Sequence, residues 1–156
     1  MKRLLLLVPF ALALAACGND DPCGGHSHDP ACLVCQGDED PIPSTVEGDA
    51  GNLSVEIVSS DPAAPVNANN ILTVRVLDSG GTAVEGATFE LVEPWYPPGG
   101  HGTPVVPEVV EARPGEFTIS QVNFVHEGRW ELRFDVADGT TTDHVVFTLC
   151  IELAPE

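Results

Sequence analysis

Apolar side chains fall at every second position along much of this chain, and that alternation constrains the fold more than any other feature. Trp130, Leu132, Phe134 and Val136 are separated by Glu131, Arg133 and Asp135. A period of two puts one set of side chains on one face of an extended strand and the other set on the opposite face. The same pattern runs through Leu53, Val55 and Ile57, through Leu72, Val74 and Val76, and through Ala87, Phe89 and Leu91. It returns at Phe117 and Ile119, with Val122 at the end of that run, and at Val145, Phe147 and Leu149. A weaker run covers 106–112, where Pro107 marks a strand start or a sheet edge. Turn formers separate the runs: Asp78-Ser79-Gly80-Gly81, Arg113-Pro114-Gly115 and Asp138-Gly139. No 3.6-residue period is sustained after residue 16. About seven short strands in about 100 residues predict an all-β domain, an immunoglobulin-like antiparallel β-sandwich over residues 51–153. A Greek-key barrel is the alternative. A domain of this size can bury a real core.

The start of the chain sets the compartment. Lys2 and Arg3 precede an apolar run at 4–16 that Pro9 interrupts. The run is too short to span a bilayer and has no polar face, so residues 1–16 read as a secretory signal peptide. Leu14-Ala15-Ala16-Cys17 resembles a bacterial lipobox. In that reading Cys17 is lipidated and becomes the first mature residue, and several acyl chains on it give stable anchoring. The alternative is ordinary cleavage after Ala16, which leaves a free thiol. The mature chain has no lysine, four arginines and 24 acidic residues, a formal charge of −20. Such a balance argues against nucleic acid and against anionic lipid surfaces as partners. With the lipobox, it suits a domain in the bacterial cell envelope, on the periplasmic side or at the outer membrane, held to the membrane by lipid rather than by charge.

Residues 17–50 read as the lipidated cysteine and a flexible, disordered tether. Eight acids and no Lys or Arg fall in 18–50, with almost no large apolar residue. Such a segment cannot bury enough surface to offset its ordering entropy. As a coil it would hold the domain roughly 30 Å from its anchor. Within it, Cys23, His26, His28, Cys32 and Cys35 supply thiolate and imidazole donors suited to zinc or copper(I). The competing reading is disulfides. With Cys17 lipidated, Cys23, Cys32, Cys35 and Cys150 remain, an even number with three possible connectivities.

The stretch Trp95-Tyr96-Pro97-Pro98-Gly99-Gly100-His101-Gly102-Thr103-Pro104 cannot be the interior of a strand or helix. It is a loop, and Trp95, Tyr96 and His101 make it the candidate binding surface. If successive strands run antiparallel, the links at 60–70, 94–106 and 123–128 share one end of the sandwich. His101 and His126 then lie on one rim with Cys150 nearby, and His144 falls at the opposite end. His101 and His126 with a carboxylate, Glu93 or Glu127, are candidate ligands for copper(II) or zinc. Trp130 is the expected central core residue.

From Gly86 onward the spacing resembles that of YtkA-like domains, and more loosely FixH-like ones. The resemblance lies in Pro97-Pro98-Gly99-Gly100-His101-Gly102, then Gly115-Glu116-Phe117-Thr118, then Gly128-Arg129-Trp130-Glu131-Leu132, and covers roughly 53–150. It implies an immunoglobulin-like sandwich outside a membrane and a link to copper handling or respiratory metalloenzyme assembly. The family loop often carries methionines beside the histidine. Here Met1 is the one methionine and leaves with the signal, so no thioether-rich copper(I) site can form in the domain.

No nucleophile elbow, phosphate loop or His-Glu-x-x-His element is present, so a non-enzymatic protein is expected. The leading expectation is a lipid-anchored extracytoplasmic binding module that engages an envelope partner or a metal through residues 94–104. A structural or adhesive envelope lipoprotein is one alternative. A carbohydrate-binding module with Trp95 and Tyr96 as its sugar platform is the other.

Overall fold

The alternating runs become strands at all seven expected places in the computed structural model, which describes residues 35–154. The strands are β1 (Ser44–Glu47), β2 (Leu53–Asp61), β3 (Asn69–Asp78), β4 (Thr88–Tyr96), β5 (His101–Gly102), β6 (Glu108–Arg113), β7 (Glu116–Asn123), β8 (Gly128–Ala137) and β9 (Thr142–Ile151). They form two sheets, in the orders β1-β2-β3-β7-β6 and β5-β4-β8-β9. Every strand pairing is antiparallel. Without the short edge strands β1 and β5, a four-stranded sheet faces a three-stranded one in the order of the seven-strand immunoglobulin sandwich. The Greek-key barrel is set aside, because the two sheets do not close on each other.

The inward-facing residues form one core. Leu53, Val55 and Ile57 of β2, Leu72, Val74 and Val76 of β3, and Phe117 and Ile119 of β7 face Leu132, Phe134, Val145 and Phe147 across the sandwich. Trp130 is fully buried, as expected, and meets Phe124 edge to face with ring centroids 5.3 Å apart. Each such large side chain contributes about 1.5–3 kcal/mol by leaving water.

Two irregularities decide which side chains reach the core. Between Phe89 and Leu91 the β4–β8 register shifts by one residue. An extra residue in one strand reverses the alternation beyond it. Leu91, expected to share the inward face of Ala87 and Phe89, therefore pairs with outward Asp135, while Val92 pairs with buried Phe134. In β7, Gln121 adopts φ 60°, and the step carries Val122 into the core one position out of phase with a simple alternation.

Residues 35–50, expected within the tether, belong to the fold, and β1 in that stretch pairs with β2. Its polar residues are used along the open edge of β9. The Asp40 N–H donates to the Thr148 carbonyl at 2.7 Å and the Asp49 N–H to the His144 carbonyl at 2.9 Å. The Thr148 N–H donates in turn to the Asp40 carboxylate at 2.8 Å. Ile42 and Val46 pack against the core. A bare edge strand is a row of unpaired donors and acceptors, and this segment covers it. A Cys35–Cys150 disulfide fixes the start of the cover to β9. The expected signal peptide, Cys17, Cys23, His26, His28 and Cys32 lie outside the described residues.

At the end of the sandwich away from residues 94–104, carboxylates hold the turns. Asp138 accepts from the Thr140 and Thr141 N–H groups, each at 2.8 Å, and Asp78 from those of Gly80 and Thr82, also at 2.8 Å. Glu111 bridges the Gly86 and Gly115 N–H groups at 3.0 and 2.8 Å. Part of the acidic excess is thus turn chemistry. Among the described residues no helix is long and apolar enough to cross a membrane.

Candidate functional site: the Tyr96–His101–His126 rim

The β4 bulge sets the geometry of this end. Because the alternation is reversed beyond Leu91, Pro94 and Tyr96 turn inward and Trp95 turns out. Tyr96 is only 9 % exposed and stacks at a tilt on Trp130, with centroids 4.9 Å apart. The chain then makes a 3₁₀ turn at Pro97–Gly99. Gly100 closes it at φ 61°, a left-handed conformation that favours glycine, and donates its N–H to the Tyr96 carbonyl at 2.9 Å. Strand β5 returns antiparallel to β4, with Tyr96 opposite His101.

Directly opposed residues lie on the same face of a sheet, so His101 sits beside Tyr96, with ring centroids 5.7 Å apart. The imidazole folds back over Gly99. A Cβ at that position would lie 2.6 Å from His101 Nε2, so this arrangement requires the glycine. His101 Nδ1 donates to the Gly102 carbonyl at 2.9 Å. In the neutral ring this bond leaves the Nε2 lone pair unprotonated and able to accept.

The β7–β8 link supplies the other half of the rim. The His126 ring lies 5.3 Å from Tyr96 and 6.0 Å from His101, centroid to centroid. Its backbone is tied down by the core, since Trp130 Nε1–H donates to the His126 carbonyl at 3.0 Å. The parity expectation is therefore met at this end. His101 and His126 share a rim, Cys150 lies close to it, and His144 sits at the far end with Nδ1 2.6 Å from Asp135.

Beside the histidines opens a cleft of about 820 Å³ lined by Tyr96, Val125, His126, Glu127, Leu153 and the Cys35–Cys150 disulfide, among others. The chain after β9 forms part of its wall. Glu152 bridges to Val66 in parallel, and Asn67 binds it on both sides, donating to the Glu152 carbonyl at 2.8 Å and accepting from the Ala154 N–H at 2.7 Å. Burial pushes the Tyr96 phenol pKa up, and the Glu127 charge adds to that shift.

The other expected site residues separate. Trp95 and Tyr96 point to opposite faces of β4 and cannot form one sugar platform. Trp95 lies on the outer face, where Arg133 covers its ring at 4.5 Å. Glu93 is on that outer face too, 3.6 Å from Arg133, and so is not a partner for His101. Glu127 remains beside His126. Cys35 is joined to Cys150 and has no thiolate to give a metal. Among the described residues no three His, Cys, Asp or Glu side chains come together as a metal site. The rim thus offers two imidazoles, which do not amount to a closed ligand shell. The sequence reading missed Val125 and Leu153 as cleft residues. The available signal was an apolar residue within a turn and another beyond the last strand.

A family model described as YtkA-like matches residues 48–135. No curated protein and no solved structure matches the chain.

Proposed function

The chain belongs to the YtkA-like family, and from that premise we propose that it is a lipid-anchored, extracytoplasmic, non-enzymatic binding module whose working end is the Tyr96–His101–His126 rim. One observation carries this reading: two loops distant in sequence place their histidines around one buried tyrosine, at the mouth of an open cleft. One loop is shaped by the glycine turn, and the other is hydrogen-bonded to Trp130. Preorganised side chains at a rim suit recognition, because little ordering entropy is lost on binding.

Anchoring rests on Leu14-Ala15-Ala16-Cys17 following the apolar run. Cell fractionation of Cys17→Ser against the unaltered chain tests it. The unaltered chain is expected with membranes and the variant in the soluble envelope fraction. Both chains in the soluble fraction would remove the anchor.

Metal handling is a finer reading that the family implies. It is favoured by the His101 tautomer, which leaves Nε2 free, and by the 6.0 Å spacing to His126. Equilibrium dialysis of the full mature chain against copper(II) or zinc, with His101→Ala/His126→Ala alongside, tests it. Loss of at least half of the bound metal in the variant is expected. Equal binding by both would exclude the rim as the metal site. Binding lost only on replacing Cys23, His26, His28 and Cys32 would move it to the tether.

A further inference from the structure

We propose that the rim cleft docks a segment of a partner protein in which a lysine or arginine stands next to an aliphatic side chain. This rests on the rim being the binding end and adds the chemistry of what it takes. The cleft has apolar lining. Val125 and Leu153 are 42 % and 63 % exposed, and both line it together with buried Ile151. It also has acidic lining. Glu127 and Glu152 line it, and among the described residues no lysine or arginine does. Tyr96 and His126 contribute aromatic rings, whose faces attract cations. Burial raises the Tyr96 phenol pKa, and the Glu127 charge at this mouth adds to it.

Charge complementarity excludes the occupants nearest at hand. A second copy would have to offer a free cation, and among the described residues every arginine is already paired. Arg75 pairs with Glu56 and Glu116, Arg113 with Glu116, Arg129 with Asp38, and Arg133 with Glu131 and Glu93. The mature chain has no lysine and no further arginine. Residues 18–34 carry Asp20, Asp21 and Asp29 but neither Lys nor Arg, so they are repelled as well. The cation must come from another molecule. An open cleft of about 820 Å³ lined by both apolar and acidic residues has room for two neighbouring side chains of a peptide, more than a small amine fills.

A random peptide display library panned against the full mature chain tests this. Enriched sequences are expected to carry Lys or Arg within about two positions of Leu, Ile or Val. A synthetic consensus peptide should bind at least tenfold more weakly to Glu127→Lys/Glu152→Lys, and its affinity should fall with salt. Val125→Ser should weaken binding while leaving the salt slope unchanged. Circular dichroism confirms that each variant is folded, and Glu152→Gln serves as the milder charge change. Enrichment of acidic or uncharged sequences, no enrichment, or equal binding by the charge-reversed variant would overturn the proposal. So would butylamine competing as well as the peptide. If binding falls with His101→Ala/His126→Ala but not with the cleft variants, the rim survives as the binding end and the cleft chemistry fails. If no rim variant matters, both fail.

Discussion

Gly99 determines whether His101 can take its place at the rim. Its missing Cβ leaves room for the imidazole, which would otherwise meet it at 2.6 Å. Gly99→Ala is expected to keep the domain folded and to displace the His101 ring, with a change in the His101 side-chain NMR shifts and at least a threefold loss of any rim binding. Unchanged His101 shifts would contradict this. Asp143 is the counterpart at the opposite end. It is 3 % exposed and accepts N–H groups from Ala50, Asn52 and Leu53 as well as from His144. Gly48 leaves room for this carboxylate, since a Cβ there would lie 2.3 Å from it. Burial pushes the Asp143 pKa up, and the backbone donors outweigh it, so the net shift is below the ordinary 3.8. A depressed folded pKa adds stability that is complete above the unfolded value and is lost as pH falls through the folded one. Asp143→Asn should cost about 2–3 kcal/mol at neutral pH, as expected for hydrogen bonds to a charged group. The penalty should shrink below about pH 3.8. Chemical denaturation at several pH values measures both.

At the scale of elements, the Cys35–Cys150 disulfide closes a loop with a sequence separation of 115 and holds residues 35–42 over the β9 edge. Cys150→Ser in the full mature chain is expected to lower stability by about 2–5 kcal/mol. Faster amide exchange at Asp40 and Thr148 should accompany it. Exchange that rises first at β6 would contradict the edge-cover role. The strands were legible because burial on one face forces alternation, and Trp130 to Val136 shows it plainly. The exceptions were not legible. Nothing local marks Glu90 as the extra residue that turns Trp95 out and Tyr96 in, since a bulge depends on the register of the partner strand. Likewise 35–50 has the composition of a tether. Its order comes from hydrogen bonds to β9, which lies 90 or more residues later in the sequence. The pairing of His101 with His126 was legible by counting strands, because parity survives a bulge. The separation of Glu93 from His101 was not, because the face assignment depends on it.

On the whole molecule, the two ends of the sandwich differ in kind. One end spends its carboxylates on its own turns, at Asp78, Asp138 and Asp143. The other leaves Glu127 and Glu152, two imidazoles and exposed Val125 and Leu153 around an open cleft. A chain with a formal charge of −18 is kept from its own copies by repulsion, so a docking end should meet partners of opposite charge. The central claim is that the rim is that end. A photo-crosslinking amino acid placed in intact cells at Val125 or Thr103, and for comparison at Thr82 or Thr140, tests it directly. Specific adducts at Val125 and Thr103 with none at Thr82 and Thr140 are predicted. Adducts concentrated at Thr82 and Thr140, or equally absent at both ends, would contradict it.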